Sequence, residues 1–204
     1  MIDVERFRKA PLVREPFDHV TVEGFVEAAA ILPLLSSFPA IRRGGSFPLT
    51  ELSFGDAFSR LLDELRAPEL RRAVEDKFAL DLSGRPTLIT VRGQARKKDG
   101  RIHTDTHTKI VTVLLYMNPG WTDPGGHLRL LRSGESLDDY VADVPPEAGT
   151  AVFFRCTGNA WHGHTPYVGE RRAIQLNWVT DGSVVAREER RHRFSARVKA
   201  WLPV

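Results

Sequence analysis

A single cysteine, Cys156, occurs in the 204 residues. No internal disulfide can form, and the chain fits a reducing compartment, by default the cytoplasm. The thiol follows the apolar run Ala151-Val152-Phe153-Phe154, where a buried and inert role is expected. No apolar stretch is long enough to cross a bilayer. The opening MIDVERFRKAPLVREPF carries charge from residue 3 onward and has no signal-peptide core. A large charge of one sign is also missing: 29 Lys and Arg stand against 26 Asp and Glu, for a formal net charge of +3. That is too little to argue for nucleic acid as a partner. Internal repeats, low-complexity tracts and long linkers are absent, so one domain spanning 1–204 is expected.

What is present is the composition of a globular protein, 42% hydrophobic and 27% charged, with a change of texture near residue 85. Before it the spacing predicts helices. Val22, Phe25, Val26 and Ala29 recur at helical intervals, with Pro33 and Pro39 punctuating the end. Leu52, Phe58, Leu61, Leu62 and Leu65 suggest a second helix. Pro68 can open a third that carries Leu70, Val74 and Phe78. After residue 85 the candidates are strands: Thr87–Val91, Ile110–Met117, His127–Leu131, Thr150–Phe154 and Arg171–Val179. Helical support over 1–85 followed by short strands over 86–181 reads as α+β, with a sandwich or barrel in the second half. Residues 184–202 return to helix, with Phe194, Val198, Trp201 and Leu202 on one face and a basic back that includes Arg187, Arg190 and Arg197.

Three pieces carry chemistry. In His103-Thr104-Asp105, an imidazole and a carboxylate at i and i+2 project to one side of a strand edge. His162 follows 59 residues later, in Asn159-Ala160-Trp161-His162-Gly163-His164. Two imidazoles and one carboxylate occupy one face of an octahedral ion and leave three positions open. That donor set points to non-haem Fe(II) oxygenases and away from thiolate-rich structural zinc. Arg171 lies nine residues beyond His162 and opens a strand on which Arg171, Ala173, Gln175 and Asn177 share a face. A guanidinium there can hold a carboxylate through two parallel hydrogen bonds.

With these pieces in place, the stretch from Thr87 to Thr180 resembles the double-stranded β-helix (jelly-roll, cupin-like) core of the prolyl-4-hydroxylase-like 2-oxoglutarate/Fe(II) dioxygenases. The matching residues are His103-x-Asp105, Leu115-Tyr116-Met117-Asn118, Gly125-Gly126-His127-Leu128-Arg129-Leu130, Pro145 to Gly149, Val152-Phe153-Phe154, and His162 to Arg171 with Pro166 between. The resemblance implies an α+β fold, with N-terminal supporting helices and a C-terminal helix around that core. It implies Fe(II) on His103, Asp105 and His162, with 2-oxoglutarate and O2 as co-substrates and ascorbate as a candidate accessory reductant.

By the same resemblance Arg171 binds the distal carboxylate of 2-oxoglutarate. Tyr116 contacts it too, unless it is a core aromatic, and Thr112 and Leu114 line the pocket on the same strand face. His164 rivals His162 and Arg172 rivals Arg171; the family spacing favours His162 and Arg171. Arg92, Gln94, His164 and Asn177 are the candidates for substrate contact, with Lys109 and Trp161 as further pocket residues. His19, His107, His127 and His192 have no partner pattern and read as structural or loop residues. An intact Asp105 implies hydroxylation of an unactivated C–H bond in a small molecule or peptide, with release of succinate and CO2. The alternative is a non-catalytic binding module on the same fold. Nucleic-acid demethylation, supported only by the basic C-terminal segment, is a weaker third reading.

Overall fold

In the computed structural model, which describes residues 1–188 and 190, the chain divides where its texture changes. The first part holds α1 (Val4–Lys9), β1 (His19–Val22), α2 (Ala28–Ser37), β2 (Phe47–Pro48), a 3-10 turn (Leu49–Glu51), α3 (Asp56–Arg66) and α4 (Pro68–Phe78). The second holds β3 (Thr87–Ala95), β4 (Lys109–Tyr116), β5 (Leu128–Leu131), β6 (Tyr140–Val144), β7 (Ala151–Arg155), β8 (His162–His164) and β9 (Gly169–Val179). A last helix starts at residue 182. Phe194, Val198, Trp201 and Leu202, the expected apolar face of that helix, lie outside the described residues, as does His192. No helix among the described residues is long and apolar enough to cross a membrane.

The strands form two sheets. One is six-stranded in the order β1-β7-β4-β9-β3-β2, and the other three-stranded in the order β6-β5-β8. Every pairing between named strands is antiparallel. This is the double-stranded β-helix, and side-chain alternation decides what each face does. On the large sheet Ile89, Val91, Val111, Val113, Leu115, Phe153, Ile174, Leu176 and Trp178 point to one side. There they share a core with Phe7, Phe58, Leu61, Leu65, Leu70 and Phe78 of the helices. Phe153 is wedged between Phe7 and Phe25, with ring centroids at 4.3 and 5.3 Å. The intervening positions face the small sheet. Tyr116, Val152, Phe154 and Ala173 join Leu128, Leu130 and Val144 in a second core at one end of that gap.

Three readings of the first 85 residues need correction. Leu52 is not part of the second helix: it caps the 3-10 turn in an extended conformation, and α3 begins at Asp56. Val22, Phe25 and Val26 do not share a helix. Val22 ends β1, and a turn through Gly24 at φ 64° folds Phe25 back onto Phe153, which mimics helical spacing. Pro33 does not end a helix either. It lies inside α2, where its missing N–H removes one main-chain hydrogen bond. Pro68 does open α4 at its first turn.

Candidate active site

The floor of the gap between the sheets follows from register. Across β4, β9 and β3 the inward residues stand in three rows: Thr112–Asn177–Leu88, Leu114–Gln175–Thr90 and Tyr116–Ala173–Arg92. All nine line a cavity of about 330 Å³, closed on the other side by Leu128, His162 and His164. Successive rows lie two residues apart, so the floor runs roughly 13 Å from Thr112 to Tyr116.

At the Thr112 end stands a group of side chains that could hold a metal ion. His103, Asp105 and His162 each offer a ligand atom, and these atoms lie within 4.8 Å of one another. Main-chain pairing builds it. His103 and His162 exchange both of their N–H···O bonds, at 3.0 and 2.9 Å, so their side chains leave the same side of the bridge. The two rings sit 4.3 Å apart. Each Nδ1 hydrogen-bonds a main-chain carbonyl, His103 to Arg101 at 2.8 Å and His162 to Ala160 at 2.9 Å. A carbonyl only accepts, so both Nδ1 atoms carry the proton and both Nε2 lone pairs are free to ligate. Burial, then the neighbouring His103, pushes His162 down to about 4, which keeps its imidazole neutral at pH 7.

Asp105 holds the charge of the cluster. Burial works to raise its pKa, but Lys109 and His162 and hydrogen bonds from Lys109 and Thr112 outweigh that, and the carboxyl sits below its usual range. Lys109 Nζ donates to it at 2.6 Å and Thr112 Oγ1 at 2.5 Å. Asn177 donates to Thr112 at 2.6 Å and Gln175 to Asn177 at 3.2 Å, a chain of polar contacts along the floor. Cys156, only half-buried, lies 3.2 Å from Thr112 and has its thiol pushed up to about 12 by burial and by Asp105. The thiol is therefore protonated and unreactive at neutral pH. Two imidazoles with free Nε2 atoms and an ionised carboxylate suit a divalent, octahedral ion.

At the opposite end, Arg171 is 6% exposed and its Nε donates to the Gly126 carbonyl at 2.8 Å. Gly126 has φ 78°, and a Cβ there would lie 2.8 Å from the Trp121 ring, so only glycine brings this carbonyl in so close. Arg171 Cζ lies 5.1 Å from the centre of the Tyr116 ring. Among the described residues, two buried polar side-chain atoms have no partner: Tyr116 Oη and Arg171 Nη2. Two unsatisfied donors at one point, in a place where each is costly, fit the end of a carboxylate.

The other candidates separate cleanly. His164 faces the cavity opposite Leu128, with Nδ1 2.9 Å from the Thr165 carbonyl, and stands apart from the ligand cluster. Arg92, Lys109 and Asn177 are on the cavity wall, whereas Gln94, Trp161, His107 and Arg172 are not. A bulge between Arg92 and Gln94 interrupts the register there. Arg172 pairs outside with Glu170 at 2.6 Å. His19 and His127 are held by the Phe17 carbonyl and by Asp143. The pairing of Asp105 with Lys109 is four residues apart in sequence but depends on a turn that no local pattern signals.

The buried histidines predict a pH dependence. Burial lowers His19, and it takes His162 and His164 down to about 4, with Arg171 assisting at His164. Their folded pKa values lie below the ordinary 6.5, so the unfolded chain binds more protons in that window. Stability is therefore fully present above about pH 6.5 and is lost as pH falls towards 4, by up to about 1.4 kcal/mol per pH unit for each of His162 and His164, with His19 acting in the same direction. Urea midpoints of chelator-treated protein at pH 7, 6 and 5 should fall steadily; a flat profile would contradict this assignment.

Residues 93–180 match the profile of the 2OG-Fe(II) oxygenase superfamily. No curated protein sequence matches the chain. Among solved structures it is similar to a Pseudomonas putida prolyl-4-hydroxylase, with a TM-score of 0.57, 20% identity, and 86% of this chain and 90% of that one covered. It is similar also to a collagen prolyl hydroxylase of Paramecium Bursaria Chlorella virus-1 in complex with 2OG (TM-score 0.54, 13% identity, 79% and 96% covered). A Phytophthora capsici prolyl 4-hydroxylase aligns at a TM-score of 0.52 and 19% identity, covering 91% of this chain and 68% of that one. These findings show the fold of the prolyl 4-hydroxylases and, over residues 93–180, similarity to the 2OG-Fe(II) oxygenase superfamily, with a His-Asp-His group that could hold a metal ion.

Proposed function

We propose that His103, Asp105 and His162 hold the ferrous ion, and that Arg171 with Tyr116 seats the distal carboxylate of 2-oxoglutarate. One observation carries this reading: the free Nε2 and carboxylate donors at one end of the cavity face two unpartnered buried donors at the other. Bound there, the metal and co-substrate would supply an O2-derived oxidant that hydroxylates an unactivated C–H bond, with succinate and CO2 as by-products. The protein's own residues do the positioning. Thr112 and Lys109 hold the Asp105 carboxylate, the Arg101 and Ala160 carbonyls fix the imidazoles, and Leu114 and Leu128 keep the wall between the two ends apolar. The substrate class is a small molecule or a peptide, the latter suggested by the names of the prolyl hydroxylases above. In this reading residues 1–204 form one oxygenase domain, with 1–85 as helical support and 86–181 as the core; the segment to residue 202 lies largely outside the described residues. We place the protein in the cytoplasm, consistent with its single free cysteine.

Anaerobic titration of metal-free protein with Fe(II) and 2-oxoglutarate tests these roles. A weak visible charge-transfer band that requires both components is expected. Iron retained without any band would favour a non-catalytic binding module on this fold.

A further inference from the structure

Arg92 is a cation without a hydrogen-bonded partner among the described residues. It projects from the last row of the floor into the cavity. It forms no hydrogen bond and no ion pair among the described residues. The carboxylate whose charge acts on it, Asp99, is occupied three times over by Arg96: by the main-chain N at 2.9 Å, Nε at 3.2 Å and Nη2 at 3.0 Å. Burial pulls the Arg92 pKa down; Asp99 opposes this, and the charges of Arg171 and Arg96 add to it. Across the sheet Arg92 and Tyr116 flank Ala173, and Arg171 precedes Ala173 by two residues on the same face. Arg92, Ala173 and Arg171 all line the cavity.

Charge counting then decides what is missing. Under the reading above, a divalent ion and a doubly charged 2-oxoglutarate cancel. One carboxylate of the co-substrate goes to the metal, and the other satisfies Arg171 Nη2 and Tyr116 Oη. Neither is left for Arg92. Among the described residues, the remaining charges on the cavity wall are Arg92, Arg171 and Lys109 against Asp105 and Glu188, an excess of one positive charge. Glu188 belongs to the C-terminal helix, which packs with Leu88 and Val179 at the metal end, a strand's length from Arg92. The approach on the Arg92 side is basic too. The segments that bring Ser46 and Gly100 to the wall carry the exposed Arg42, Arg43, Lys97, Lys98 and Arg101. A field of one sign at the mouth of a low-dielectric cleft concentrates ligands of the other sign.

We propose that the primary substrate is a carboxylate, bound through its acid group by Arg92 so that its C–H bonds lie between Arg92 and the metal cluster. This rests on the co-substrate roles given above. The acid could be that of a free amino or hydroxy acid, or a side-chain or C-terminal carboxylate of a peptide.

The test uses full-length protein loaded with Fe(II) and 2-oxoglutarate under anaerobic conditions. The probes are free amino acids, aliphatic hydroxy acids, and short peptides ending in proline or aspartate, each beside its carboxamide. The readouts are the shift of the visible band and, after addition of O2, the stimulation of succinate formation. At least one carboxylate should act, and its amide should require about 100-fold more, the usual cost of removing one member of a desolvated charge pair. Arg92→Gln should impose a similar loss on the acid and narrow the gap to the amide, while Arg92→Lys recovers part of it. Response to free acids alone, or to peptides alone, identifies the source. The proposal is overturned if no carboxylate acts, if acids and amides act equally, or if Arg92→Gln raises the half-saturating 2-oxoglutarate concentration as much as loss of Arg171 does. The last result would make Arg92 a second arm of the co-substrate clamp. Absence of the band in wild type before any probe is added is a separate failure, that of the co-substrate reading.

Discussion

Asp105→Ala should abolish succinate formation and strip the protein of iron. The substitution acts twice. It removes the anionic donor of the cluster, and it leaves Lys109, whose side chain is 19% exposed, without its partner at 2.6 Å. A desolvated ammonium would then stand beside the position of a divalent cation. Removing one member of a buried pair costs about 3–5 kcal/mol, or roughly 10²–10⁴ in affinity. A second change separates the two effects: Asp105→Ala combined with Lys109→Met should regain part of the iron binding and none of the activity. Iron content after dialysis against a weak chelator, measured beside succinate release, checks both. A single variant that keeps its iron and turns over would remove Asp105 from the ligand set.

Arg171→Met should raise the half-saturating 2-oxoglutarate concentration by about 10²–10³, the cost of leaving a buried carboxylate without its charged partner. Iron content should be preserved, because Arg171 sits at the far end of the floor. Tyr116→Phe removes one donor to the same carboxylate and should cost about 10-fold. Arg172→Met is the control. Its guanidinium lies outside the cavity, on Glu170 and 5.5 Å from the Phe38 ring, and no change in co-substrate affinity is expected. Equal effects at 171 and 172 would mean that the clamp lies elsewhere.

How far the sequence alone reaches depends on whether a signal is local. The faces of β4 and β9 could be read because each strand borders an apolar core on one side and a polar cavity on the other, which imposes a clean period of two on Thr112, Leu114 and Tyr116 and on Ala173, Gln175 and Asn177. The strands left out of that reading are β1, β2, β6 and β8, of two to five residues each. They are too short to show a period and are defined by their partners. The helix read through Val22 and Phe25 failed because a strand end and a turn can reproduce helical spacing by accident. In the site, His103 and Asp105 were legible as neighbours. The direct pairing of His103 with His162 is a long-range fact of the sheet. The isolation of Arg92 is legible only once Arg96 is seen to saturate Asp99. Nothing about Arg92 itself announces it.

The two carbonyls behind the ligand imidazoles have a consequence for inheritance. In many metal sites the groups that orient the histidines are carboxylate side chains, which a single codon change can delete. Here they belong to the peptide bonds of Arg101 and Ala160. No exchange of side chain at either position erases them, so the choice of which ring nitrogen meets the metal is robust to point mutation. Drift can refashion the walls that select a substrate while the tautomers of the centre stay fixed.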